Sequence, residues 1–227
     1  MLNAIYYYFT QGKYAGELTS DMTEIEQQIK QAVTILKNGG EVAYPTDTVY
    51  GLGACMTDIN AVDRIFQVKG RPKGMALPVL LADLKQIEEI VTDFTPAAKR
   101  LAEEFFPGAL TIILPKNISV PDIITGGGKT IAFRIPNHPV PLALVKGQGK
   151  PIVGTSANLS GHPSVLTAAE VREQIGDKID LVIDGGRCPG GIESTVIDLS
   201  GEKPIIRRQG AISIEKLIKI LPDIITV

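Results

Sequence analysis

The sequence predicts a single α/β domain, a mixed open sheet flanked by helices. Two observations predict it. Apolar residues switch repeatedly along the chain between helical spacing and strand-like runs, the pattern of interleaved helices and strands. The stretch 181–208 then holds several strand-like runs in a row with no helix between them, which argues against a purely parallel, doubly wound sheet. The 227 residues suit one such domain, and no internal repeat or long linker divides them.

Taken in order, Asp21 to Leu36 places Ile25, Ile29, Ala32, Val33 and Leu36 on one helical face, and Asn38-Gly39-Gly40 closes it. Glu41–Pro45 reads as a short strand, followed by a turn-rich loop through Gly53. Asp58 caps a helix with Ile59, Val62, Ile65 and Phe66 on its apolar face, stopped near Lys69-Gly70-Arg71-Pro72. Leu77–Leu81 reads as a strand and Asp83–Val91 as a helix. Thr95-Pro96 opens another helix through Phe106, with proline at its favoured first position. Leu110–Leu114 and Thr130–Ile135 are strand candidates, Val140–Lys146 a helix and Pro151–Gly154 a buried strand. Thr167-Ala168-Ala169-Glu170 is a capping box opening a helix to Ile175. Leu181–Asp184, Thr195–Leu199 and Ile205–Arg208 read as strands, and Ser213 caps a last helix to Leu221. Residues 1–20 read as an N-terminal extension and residues 21–227 as the domain.

Composition excludes several classes. Hydrophobic residues are 44% and charged residues 21%, as in soluble globular proteins rather than disordered chains. The formal net charge of −2 argues against a protein that holds nucleic acid mainly by phosphate neutralisation. Cys55 and Cys188 lie far apart, outside any C-x-x-C, and His138 and His162 are the only histidines. Neither a disulfide framework nor a His/Cys metal cluster is expected, and the chain reads as cytosolic. No secretory leader or membrane-length apolar run is apparent.

Two apparent motifs are set aside. Gly126-Gly127-Gly128-Lys129-Thr130 suggests a phosphate loop, but Ile123 stands where the first glycine belongs and a strand follows instead of a helix. Gly154-Thr155-Ser156-Ala157-Asn158 lacks the second glycine of a nucleophile elbow.

Three segments remain. Pro45–Gly53 offers hydroxyls, a carboxylate and glycines that admit close backbone approach; it is a ligand loop or an ordinary capped turn. Lys69-Gly70-Arg71, with Lys73, is a phosphate clamp or the solvated, dipole-compensating end of a helix. Thr155–Asn158 stands where open α/β sheets place ligands, or is a turn or helix cap. Arg134 and Arg208 sit in apolar strands and need partners if buried, either an anionic ligand or a structural Asp or Glu. Glu193-Ser194-Thr195 follows a glycine-rich loop, Gly185–Ile192, whose backbone is suited to line a site.

In this order and spacing, Pro45–Gly53, Lys69-x-Arg71, Ser156-x-Asn158, Glu193-Ser194-Thr195 and Arg208-x-Gly210 resemble the YrdC/Sua5 family of threonylcarbamoyl-AMP synthases. The resemblance runs from about Asp21 to Leu221. It implies a YrdC-like twisted open sheet. It also implies a cytoplasmic nucleotidyltransferase that forms threonylcarbamoyl-AMP and pyrophosphate from L-threonine, bicarbonate and ATP. A separate transferase complex would then use the adenylate to modify tRNA position 37. Carried over, Lys69 and Arg71 would be catalytic and hold the ATP phosphates. Thr130, Ser156, Asn158, Ser164 and Arg208 would complete the ATP site. Thr46, Arg134 and Ser194 would hold threonine. Mg²⁺ would arrive with ATP near Ser156 and Asn158, with no His or Cys ligand. Some members carry a histidine in the strand Pro78–Leu81 that helps hold threonine; Leu80 stands there in this chain. The alternatives are an RNA-binding module without synthase activity, which the net charge disfavours, and a relative of larger carbamoyl-adenylate enzymes, whose additional regions are absent from the sequence.

Overall fold

The computed structural model describes residues 18–226, with side chains described from Glu24 to Ile225. Most of the expected N-terminal extension therefore lies outside the described residues. The first helix, α1 (Leu18–Lys37), starts within the segment assigned to that extension.

The chain continues through β1 (Val42–Tyr44), β2 (Gly51–Gly53), α2 (Ile59–Lys69), β3 (Val79–Leu80), α3 (Lys85–Ile90), α4 (Pro96–Phe105), β4 (Leu110–Pro115) and α5 (Asp122–Thr125). It then forms β5 (Thr130–Arg134), α6 (Pro139–Gln148), β6 (Ile152–Val153), β7 (Thr155–Ser156), α7 (Ala168–Ile175) and β8 (Leu181–Val182). β9 (Thr195–Asp198), β10 (Ile205–Arg208), α8 (Ile214–Ile220) and β11 (Ile225–Thr226) complete it.

Local chemistry sets the ends of these elements. Asp58 accepts from Asn60 N and Ala61 N, and Gly70 closes α2 at φ 59°. Thr95 caps α4 ahead of Pro96, and the Thr167/Glu170 capping box forms in full. Ser213 occupies the cap position of α8, but its side chain makes no capping hydrogen bond.

Pairing is mixed, as expected, and divides the strands between two sheets. The smaller runs β7-β2-β1-β8, and the larger β11-β10-β9-β4-β5-β3-β6. Three strand pairs of the larger sheet are parallel: β3 with β5, β4 with β9 and β10 with β11. The rest are antiparallel. The buried strand expected at Pro151–Gly154 forms as β6, and the chain then crosses to the other sheet. Ile152 and Val153 pair with β3, and Thr155 and Ser156 pair with β2. Gly154 is the crossing point. A Cβ there would fall 2.4 Å from Leu80 Cγ, so the close approach requires glycine.

The larger core fills around Leu52, Val62, Ile65, Leu81, Leu110, Ile112 and Phe133. A second cluster packs α1 and α6 over Val42, Tyr44, Leu80, Ile152 and Ile183. Leu80 therefore belongs to this core. Among the described residues, no helix is long and apolar enough to cross a membrane.

The seam predicts a stability result. Gly154→Ala should cost about 1–3 kcal/mol through overpacking against Leu80. Adding Leu80→Ala, which removes the clashing atoms, should make the glycine substitution itself nearly neutral. Urea unfolding midpoints of the single and double variants read this directly.

Candidate functional site

Most of the predicted residues gather where the two sheets meet, Thr130 excepted. Arg134 ends β5 and is buried. Its Nε donates to Gly108 O at 2.8 Å, Nη1 to Thr48 Oγ1 at 2.9 Å and Nη2 to Asp47 Oδ1 at 2.6 Å. The structural-carboxylate alternative thus supplies its partner. A guanidinium has five N–H donors. These bonds use one on each nitrogen, so one N–H remains on each terminal nitrogen.

Thr46 faces this group from the β1–β2 loop. Its hydroxyl donates to Val49 O at 2.6 Å and lies 3.0 Å from Thr48 Oγ1, while Thr46 N donates to Cys188 Sγ at 3.4 Å. The glycines of Gly51–Gly53 do not serve ligand approach as the sequence suggested. A Cβ on Gly51 would lie 2.7 Å from the Tyr44 ring, and one on Gly53 2.6 Å from Val153 O. They make room for a buried cross-strand tyrosine and for β6. Gly190 does bring backbone close, since a Cβ there would fall 2.5 Å from Asp47 O. The glycine-rich loop therefore lies against the Asp47–Thr48 turn, and Gly191 N donates to Thr48 O at 2.9 Å.

Ser194 precedes β9 and is buried, with Oγ 2.8 Å from Thr111 Oγ1. Arg208, at the end of β10, donates through Nε and Nη2 to Ser194 O at 3.1 and 3.0 Å, and pairs through Nη1 with Glu193. Ser164 Oγ donates to the other oxygen of that carboxylate at 2.6 Å.

Lys69 ends α2, yet it is only 2% exposed, which rules out the solvated-face reading for this residue. Its Nζ donates to Ser156 O and Asn158 O, and an ammonium has one donor left over. Burial, and then the neighbouring Arg71 charge, push its pKa down to about 8; the more distant Glu193 acts the other way. Burial likewise lowers the pKa of Arg71. The exposed-cation reading holds for Lys73, which pairs with Asp63 at the surface.

Among the described residues, the two buried side-chain polar atoms without a hydrogen-bond partner are Arg71 Nε and Asn158 Oδ1. Asn158 Nδ2 donates to Leu159 O at 2.9 Å and His162 O at 2.6 Å, which turns Oδ1 the other way. One orphaned donor and one orphaned acceptor thus fall within the predicted segments. A buried unpaired polar atom costs about 1–3 kcal/mol unless a ligand or water meets it.

Thr130 stands apart from Arg134. It opens β5 beside Pro115, roughly 13 Å of strand away. Its preceding loop nevertheless packs on the Arg71 side, for a Cβ on Gly126 would fall 2.5 Å from Gly74 O. Sequence reasoning passed over Asp47, Thr48 and Glu193 as individual residues, although all lie in segments it selected. The signal was there: Asp47 lies between Thr46 and Thr48, Glu193 is followed by Ser194 and Thr195, and each faces a strand arginine.

Among the described residues, no group of three His, Cys, Asp or Glu side chains could hold a metal. His138 is a helix cap, accepting from Val140 N through Nδ1, and burial lowers its pKa to about 4. An open cleft of about 520 Å³ lies elsewhere, lined by residues including Lys37, Thr57, Ile59 and Lys150. Two of its polar groups are engaged within the fold: Lys150 donates to Thr57 and Asp58 caps α2.

The fold and site define an α/β domain whose two sheets meet at a cation-rich seam. The family model Sua5_yciO_yrdC, described as "Telomere recombination", matches residues 34–210. The chain belongs to this Sua5/YciO/YrdC family. It is 43% identical over 199 residues to the threonylcarbamoyl-AMP synthase of Pyrococcus abyssi, covering 88% of this chain and 58% of that protein. It is similar in structure to P. abyssi Sua5 complexed with L-threonine, with a TM-score of 0.87 at 42% identity, covering 89% of this chain and 59% of that one. Against E. coli YciO the TM-score is 0.77 at 32% identity, covering 85% and 93%. The chain thus spans little more than half the length of the P. abyssi relative.

The Lys69 environment predicts a pH effect. Its folded value of about 8 lies below the unfolded 10.5, so the unfolded chain binds more protons between those values. Stability from this group should therefore rise with pH across that window, by at most about 1.4 kcal/mol per unit. The stability difference between wild type and Lys69→Met, from urea unfolding at a series of pH values from 7.5 to 10, should show the rise.

Proposed function

We propose that this chain is an L-threonylcarbamoyladenylate synthase, joining L-threonine, bicarbonate and ATP into threonylcarbamoyl-AMP with release of pyrophosphate. The observation that carries this reading is the pair of orphaned groups, Arg71 Nε and Asn158 Oδ1, beside the buried Lys69. The names of the P. abyssi relatives support it.

Each residue has a task. Threonine's amine and bicarbonate form a carbamate with loss of water. A carbamate oxygen then attacks the α-phosphorus of ATP, and pyrophosphate leaves. The difficulty is to bring several anions together in line, which fixed cations and amide donors achieve by position and charge. The last free N–H of Lys69, the Nε of Arg71 and the guanidinium of Arg208 face the phosphates. Ser156 and Ser164 line that side, and Thr130 contacts the nucleotide from the start of β5. The two spare N–H groups of Arg134 form a fork for the threonine carboxylate, with Thr46 and Ser194 beside it. Asp47 fixes that fork in place.

Mg²⁺ suits this site. Asn158 Oδ1 is a hard, neutral and unpartnered oxygen, and such an ion takes most of its ligands from phosphates and water. Asn158 would hold it, with the Ser156 hydroxyl nearby. When bound, it neutralises phosphate charge. In the cytosol the adenylate would pass to a transferase that modifies tRNA.

Incubation with ATP, threonine and labelled bicarbonate should give threonine-dependent pyrophosphate and a labelled adenylate. Lys69→Ala and Arg71→Ala should each lower the rate on the order of a hundredfold or more while leaving the fold intact by circular dichroism. Absence of threonine-dependent label with wild type would exclude the synthase reading. Salt-sensitive binding of duplex RNA in its place would favour the RNA module.

A further inference from the structure

The phosphate side of the seam already holds one negative group. Glu193 pairs with Arg208 through one oxygen and accepts from Ser164 Oγ at 2.6 Å through the other. Both partners belong to the residue set assigned to ATP. The same carboxylate acts at longer range on Lys69 and Arg71, where it partly offsets the effect of burial. Among the described residues, neither Lys69 nor Arg71 has a carboxylate within ion-pair distance. The position of Glu193 is fixed from behind. Gly210 packs so closely that a Cβ on it would lie 2.2 Å from Glu193 O, and Ala211 N donates to that carbonyl at 2.9 Å. The backbone is anchored, while the side chain is about a third exposed. It can therefore swing without moving the strand.

We propose that Glu193 is a tethered placeholder for nucleotide phosphate: it occupies the phosphate subsite of the empty protein, and the incoming polyphosphate displaces it from Arg208 and Ser164. This rests on the ATP reading given above. The placeholder offsets the charge of Arg208 directly and those of Lys69 and Arg71 at longer range, and competes with every polyphosphate that enters. It weakens ATP binding, and it equally speeds the departure of pyrophosphate, because the carboxylate returns to Arg208 as the product leaves. Glu193 is thus a positioning residue that sets affinity and release rather than one that reacts.

The test is calorimetric titration of ATP and of inorganic pyrophosphate into wild type and Glu193→Gln, with Glu193→Ala as the second variant should the amide variant not fold. Removing one nearby like charge should tighten both ligands about three- to tenfold. The melting temperature of the empty variant should fall, and its rise on adding ATP should exceed that of wild type. A residue that only supports the fold would leave affinity unchanged or weaken it, so either result overturns the placeholder. Weaker binding in the variant only when Mg²⁺ is present also overturns it, and would make Glu193 a metal-side ligand. If wild type binds neither ATP nor pyrophosphate, the ATP reading itself fails, a result distinct from binding without tightening.

Discussion

The buried guanidinium of Arg134 joins parts of the chain that nothing else ties together so directly. It ends a central strand of the larger sheet, and its three nitrogens reach Gly108 before β4 and the Asp47–Thr48 turn between strands of the smaller sheet. Such a pair adds little net stability, because two charges must leave water. Breaking it by removing one partner is costly, about 3–5 kcal/mol, since the other charge stays buried. Its value lies in geometry. With every nitrogen engaged once, the guanidinium plane is fixed, and the spare N–H groups point in set directions before any ligand arrives. That is the preorganisation on which electrostatic catalysis depends.

The opposite wall is built on a different principle. Lys69 is satisfied by backbone carbonyls rather than by a carboxylate, so its charge is held in place without being cancelled. A site lined by carbonyl-anchored cations keeps a net positive potential that an ion-paired site would lose. The cost appears in the lowered pKa values of Lys69 and Arg71, both driven first by burial. The two walls therefore differ in charge: Arg134 is neutralised by Asp47, while Lys69 is left charged.

Much of this was legible in the sequence. Helix ends were read well because caps are local chemistry: Asp58, Thr95 and the Thr167/Glu170 box act within a few residues of themselves. The segments that the structure brings together around Lys69 and Arg134 were also singled out, since hydroxyls, glycines and cations at strand ends form a short-range pattern. What escaped depends on contacts far apart in the chain. Nothing local in Pro151–Gly154 reveals that its strand changes sheets at Gly154, because the reason is Leu80. Gly51 and Gly53 read as ligand-facing, yet their reason is the ring of Tyr44 across the ladder. The division into two sheets escaped for the same cause. Strands of two or three residues, such as β2 and β7, are too short to show a period of two.

One detail shows how narrowly the site is specified. The amide of Asn158 spends both donors on Leu159 O and His162 O, and that is what turns its buried oxygen away from those two carbonyls. Aspartate differs by a single heavy atom, yet it would bring oxygen against oxygen at those two carbonyls. The side chain would be repelled from its seat, and a negative charge would appear beside the buried Lys69. One nitrogen in one side chain therefore decides how this loop is held, with no change to any strand or helix around it.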